Sequence, residues 1–105
     1  MKELRIMPEY QCYLTWLYDE NGTLIDNAIP DKLKQNTKIM DLIEEIQNEF
    51  DSLYANTIKE FAYIGFSNDQ KKQLFIDKIK KLHVLISQEL KGEYKVTNAL
   101  QQDVL

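Results

Sequence analysis

The sequence predicts an α+β fold: a small antiparallel sheet, made of an N-terminal hairpin and a C-terminal strand, packed against two long helices. Three observations carry this. Residues 1–36 are rich in aromatic and β-branched side chains and hold both prolines, residues 37–91 carry long 3.6-residue apolar periodicities, and Asn21-Gly22 sits between two strand-like runs.

In order along the chain, Leu4-Arg5-Ile6 alternates ahead of Pro8 and reads as the first strand. Cys12-Tyr13-Leu14-Thr15-Trp16-Leu17-Tyr18 is an aromatic run suited to a pleated, half-buried surface. Alternation there places Leu14, Trp16 and Tyr18 on one face and Tyr13, Thr15 and Leu17 on the other. Asn21-Gly22 is a two-residue hairpin signal, because both types tolerate positive φ, and Thr23-Leu24-Ile25 returns. Pro30 lacks an N–H and biases Ile29 towards extended backbone, so residues 26–31 form an irregular connection, with Asp31 able to cap a short turn through Leu33.

From Thr37, the residues Ile39, Met40, Leu42, Ile43, Ile46, Phe50, Leu53 and Tyr54 form one stripe, predicting a helix capped by Asn36 or Thr37 and running to about Ala55. Lys59 to Phe66 reads as a short loop or strand. Ser67-Asn68-Asp69-Gln70 has the serine and glutamine spacing of a capping box, with Phe66 placed to staple it. The helix it opens has the stripe Leu74, Phe75, Ile79, Leu82, Ile86 and Leu90, widened by Leu85, and Gly92 stands where a left-handed residue would end it. Glu93 to Thr97 alternates as a last strand, and residues 98–105 are expected to fray from a single domain spanning 1–105.

The length of 105 residues allows one core that buries roughly 60 to 70% of the unfolded chain's surface. One cysteine and one histidine leave no disulfide and no Cys/His metal cluster, so no metal or cofactor is expected. No apolar run approaches the roughly 20 residues of a membrane span, and the first eight residues lack a signal-peptide core, so the expected setting is the cytoplasm. Proton-transfer groups are few. His83 falls at the edge of the second apolar stripe as a boundary residue, and Cys12 has no basic neighbour to lower its pKa and reads as a small buried hydrophobe. Glu44 and Glu45 project about 100° apart on a helix and do not converge on one substrate atom. Phosphate-binding, zinc-protease, calcium and nucleophile-elbow motifs are all missing. The expectation is a protein that is not an enzyme.

Charge placement says more than the net charge of −4. Residues 1–36 hold four basic and six acidic side chains, residues 37–66 two and six, and residues 67–105 seven and five, so the local balances are −2, −4 and +2. On the first helix Asp41, Glu44, Glu45, Glu49 and Asp51 face only Lys38. Asp41 and Glu45 stand four apart, as do Glu45 and Glu49, spacings that cost a few tenths of a kcal/mol each in a helix. Two readings fit: a solvated face offset by lysines of the second helix, or an anionic surface that docks a basic protein. The lysines of the C-terminal part include no arginine and share their stretch with five acids, which argues against nucleic-acid binding. Tyr10, Tyr13, Trp16 and Tyr18 crowd the hairpin beside Asp19, Glu20 and Asp26, and tyrosine is a favoured interface anchor.

Met7-Pro8-Glu9-Tyr10, Cys12-Tyr13-Leu14-Thr15-Trp16, Tyr18-Asp19-Glu20-Asn21-Gly22 and Ile25-Asp26-Asn27 with Ile29-Pro30 together resemble small immunity proteins encoded beside bacterial polymorphic toxins, including those of contact-dependent inhibition systems. The resemblance covers mainly residues 4–33 and is looser in the two-helix remainder. It implies binding and neutralising a cognate toxin domain in the cytoplasm; many such toxins are nucleases with basic surfaces. On that reading Asp19, Glu20, Asp41, Glu44, Glu45 and Asp51 pair with toxin lysines and arginines, Tyr10 or Tyr18 anchors the contact, and the protein is a monomer when free. The alternative is a small structural or regulatory protein that self-associates through its sheet edge or exposed aromatics.

Overall fold

The computed structural model describes residues 1–56, 61–101 and 105, with backbone alone at 55, 56, 61 and 62. Strands β1 (Lys2–Ile6), β2 (Thr15–Tyr18) and β3 (Leu24–Asn27) are followed by helices α1 (Asp31–Lys34) and α2 (Thr37–Asp51). Then come β4 (Tyr54–Asn56), β5 (Phe61–Tyr63), α3 (Asp69–Glu89) and β6 (Tyr94–Asn98). Strand order in the main sheet is β3-β2-β1-β6, while β4 and β5 pair separately. The class is α+β, as expected.

One pairing differs from the antiparallel expectation: β6 lies parallel to β1, with Leu4 beside Val96, so the sheet is mixed. The cause is α3, whose 21 residues span about 31 Å and carry the chain back across the layer before β6 enters. Leu4 and Ile6 point inward from the central strand with no solvent exposure. They meet Ile39, Ile43, Ile46 and Phe50 of α2 and Phe75, Ile79, Leu82 and Ile86 of α3. The helices cover one face of the sheet, and Glu3, Arg5, Trp16 and Tyr18 stand on the other.

Several local expectations are corrected. The hairpin closes on three residues rather than two: the Gly22 N–H donates to Asp19 O at 3.1 Å, Gly22 takes φ +81°, and the Asp19 N–H donates to Thr23 O at 2.9 Å. The second strand begins only at Thr15, so Leu14 escapes the Trp16 and Tyr18 face and is buried. Helix α2 stops at Asp51, because Leu53 and Tyr54 turn into β4. Its cap is Asn36, whose side chain accepts from the Ile39 N–H at 3.1 Å. The cap of α3 is Asn68 rather than Ser67, accepting from the Lys71 N–H at 2.9 Å. Leu74 is 53% exposed and Ile76 takes a buried place instead, since Leu74 lies about 100° around the helix from Phe75 on its outer flank. Phe66 does pack on Phe75, ring centroids 5.3 Å apart. Gly92 adopts φ +86° just past α3.

In the last segment the Ala99 N–H extends the β6 pairing to Ile6 O at 2.9 Å, and Leu100 and Leu105 pack against the core. Residues 57–60, which include Lys59 and Glu60 of the loop-or-strand reading, lie outside the described residues, as do 102–104; Phe61–Tyr63 of that stretch is a strand.

Candidate functional site

The long connection from β1 to β2 keeps two backbone hydrogen bonds, from the Met7 N–H to Leu14 O at 3.0 Å and from the Cys12 N–H to Glu9 O at 3.2 Å, and is otherwise held by side chains. The Gln11 N–H donates to Asp51 Oδ1 at 2.9 Å, and the Leu14 N–H donates to Gln47 Oε1 at 2.8 Å. The Tyr13 N–H donates to Asn27 Oδ1 at 3.0 Å, while Asn27 Nδ2 donates to Tyr13 O at 2.7 Å and to Thr15 O at 3.1 Å. Trp16 Nε1 donates to Met7 O at 2.8 Å and the buried Thr15 hydroxyl to Ala28 O at 2.5 Å. Backbone donors that no strand can reach are therefore satisfied by amides and a carboxylate of α2 and β3. Gln11 is held at φ +55°, a left-handed conformation costing on the order of 1 kcal/mol for a residue with a Cβ.

Between this loop and α2 lies an open groove of about 470 Å³, lined by Gln11, Cys12, Tyr13, Asn27, Gln47, Asn48 and Asp51. Its wall is mainly polar, and Tyr13 is 53% exposed at its rim. One turn along α2 from Asn48 stands Glu44, and three residues before that Asp41, both exposed.

The acids named from the sequence thus fall into distinct places. Glu45 turns to the other flank of α2, where Lys78 reaches its carboxylate at 3.1 Å and that of Glu49 at 3.2 Å. Burial lowers the Lys78 pKa, but the hydrogen bonds and charges of Glu45 and Glu49 outweigh it and hold the ammonium above its ordinary value. Among the described residues Asp41 and Glu44 have no ion-pair partner. Asp51 is half-buried and occupied with Gln11. Asp19 organises the hairpin turn, its carboxylate accepting from the Asn21 and Thr23 N–H groups, both at 2.9 Å, and Glu20 is exposed beside it.

The two tyrosines are engaged within the fold. Tyr10 packs on Tyr54 with centroids 4.9 Å apart, and Tyr18 lies under the Arg5 guanidinium at 4.0 Å. Tyr54 and Tyr63 pack with tilted rings, centroids 5.1 Å apart, and burial pushes both hydroxyls above the ordinary tyrosine pKa. Beside them a smaller cavity of about 110 Å³ is lined by Pro8, Phe50, Tyr54, Tyr63, Leu100 and Leu105, among others.

His83 Nε2 lies 3.0 Å from Val96 O and ties α3 to β6. Cys12 is only half-buried, in the groove wall rather than in the core. No group of three or more His, Cys, Asp or Glu among the described residues is placed to hold a metal ion, and no helix there is long and apolar enough to cross a membrane.

Gln11 and Gln47 belong to none of the sequence motifs, and Asn27 enters only through the Ile25-Asp26-Asn27 pattern of the family resemblance. Gln47 had a signal: Ile43, Ile46, Gln47 and Phe50 are spaced as one inward flank, and an amide in such a position needs a partner.

Fold and site together define a small two-layer α+β domain that presents a braced, polarised surface beside its first long helix. The chain belongs to the Serratia CdiI immunity protein-like family, whose description matches residues 2–99. The match reaches well beyond residues 4–33 and takes in both long helices. None of the curated proteins matches the chain.

Proposed function

We propose that the chain is a CdiI-type immunity protein that binds and neutralises the toxin domain of its own system inside the cytoplasm, and that this domain is a basic nuclease. Membership of the immunity family over residues 2–99 carries the reading. The basic character of the partner is supported by Asp41 and Glu44, which stay exposed and unpaired among the described residues while Glu45 and Glu49 are consumed by Lys78. Carboxylates left without a lysine on a helix cost stability there and are recovered by a partner of opposite charge. The braced Gln11 to Leu14 loop presents Tyr13 without having to order on binding, which lowers the entropic cost of association. The protein acts as a monomer that covers the toxin's nucleic-acid-binding face, with no cofactor and no reaction of its own.

The test is protection. The toxin domain encoded in the neighbouring reading frame is expressed under control with the wild-type protein or with the Asp41→Lys/Glu44→Lys variant. Wild type restores growth and the double reversal does not, at equal abundance and unchanged circular dichroism. Full protection by the variant would move the contact off α2, and no protection by wild type would end the neutralisation reading.

A further inference from the structure

Strand β3 is an edge of the main sheet, broken once by a register irregularity that leaves Ile25 unmatched between the Leu17–Asp26 and Tyr18–Leu24 pairs, and among the described residues it is the edge without lysine, proline or a covering element. Leu24 and Ile25 are 47% and 53% exposed, Asp26 is exposed beside them, and the strand holds neither lysine nor proline. Edges in free-standing domains are blunted by such residues or by a covering element. The opposite edge, β6, is treated that way: Lys95 stands exposed on it, the Val96 carbonyl is taken by His83, and α3 packs along it. Nothing comparable covers β3 among the described residues.

Charge narrows what would pair there. From Ile6 to Asp31 the chain has no lysine or arginine, and the β2–β3 hairpin carries Asp19, Glu20 and Asp26. Asn27, the last residue of β3, also lines the groove that holds Asp51, so the apolar edge runs directly into the acid-flanked groove. A second copy of this chain would bring three acids against three with no base in either hairpin.

We propose that the free edge of β3 takes an extended segment of the toxin as a fifth strand, apolar against Leu24 and Ile25 and carrying lysine or arginine opposite Asp26 and the groove. Main-chain hydrogen bonds of this kind give affinity, and the side chains beside them give selectivity. This rests on the neutralisation reading and adds where and in what conformation the toxin is held.

The experiment uses the full-length protein and the catalytically inactivated toxin domain of the neighbouring reading frame, with titration calorimetry and amide hydrogen exchange. The guarding variant is Ile25→Lys, with Leu74→Lys, equally exposed on α3, as its control. Expected are slowed exchange of the 24–27 amides in the complex, a loss of about 30-fold or more in affinity for Ile25→Lys, and wild-type affinity for Leu74→Lys. Tight wild-type binding with unchanged exchange at 24–27 and an Ile25→Lys affinity equal to wild type overturns the strand site and leaves the neutralisation reading standing. No wild-type binding removes both. A wild-type dimer in sedimentation that Ile25→Lys abolishes assigns the edge to a second copy and overturns the proposal.

Discussion

Single polar side chains carry most of the site's shape. Asp51, Gln47 and Asn27 each satisfy backbone donors of a loop that no strand ladder reaches, so the loop's path follows from three residues distant from it in sequence. On the solvent face of the sheet a second chain of contacts crosses three strands. The Thr97 hydroxyl donates to Glu3 at 2.7 Å, Arg5 Nε donates to the same carboxylate at 3.0 Å, and Arg5 lies over Tyr18. The Thr97 hydrogen bond, partly opposed by desolvation and aided by Arg5, holds the Glu3 carboxyl below its ordinary pKa. A carboxylate lowered by folding stabilises the native state above its unfolded pKa, and that contribution disappears as pH falls through the folded value. Thr97→Val should therefore raise the Glu3 pKa, read by the carboxyl-carbon shift in NMR. It should also weaken the acid-side fall of the urea midpoint between wild-type's folded value and the ordinary glutamate range. An unmoved Glu3 titration would assign the lowered value to the charges of Arg5 and Lys95.

At the level of elements, the sequence places helix starts to within a residue and the first three strands antiparallel, and misses only the direction of the last strand. The residues 67–70 offer two caps, Ser67 and Asn68, and local spacing alone favours the serine. Asn68 wins because its backbone is extended and its carboxamide reaches the Lys71 N–H, while Ser67 precedes the turn. Asn68→Ala should lower unfolding stability by about 1 kcal/mol, while Ser67→Ala should stay within about 0.5 kcal/mol in the same denaturant titration. Equal losses would return the cap to Ser67. The early end of α2 has a similar cause. Leu53 and Tyr54 continue its apolar period, but Tyr54 is drawn into the β4–β5 pair and packs its ring, tilted, against Tyr63, a partner nine residues further on.

Over the whole molecule, one apolar layer joins every major element. Ile79 of α3 has no solvent exposure and belongs to the cluster that spans β1, α2 and α3. Ile79→Ala should cost about 2 to 5 kcal/mol by equilibrium unfolding, a large share of the roughly 5 to 15 kcal/mol typical of a domain. A loss under 1 kcal/mol would mean that the α2–α3 seam closes over the gap. Charge is distributed as unevenly as burial. Among the described residues the lysine-rich helix gives α2 one ion-pair partner, Lys78, and the partnered acids Glu45 and Glu49 divide the two helices from the open flank of Asp41 and Glu44. What the −4 of the middle segment does is thus decided by side: one flank glues helices, the other faces solvent.

Read alone, the amino-acid order is enough for the α+β class, for both long helices with most of their inward residues, for the presence of the hairpin and for the family resemblance, because each rests on periodicity or spacing within a few turns. It is also enough to find the surplus of acid on the first helix. Tertiary structure alone decided that β6 runs parallel to β1 and that Leu74 yields its place to Ile76. It alone separated Glu45 from Glu44, and drew Gln11, Asn27, Gln47 and Asp51 around one groove. Those outcomes depend on contacts between residues far apart in the chain, whose free energies are set by packing and by the demand that every buried polar group find a partner.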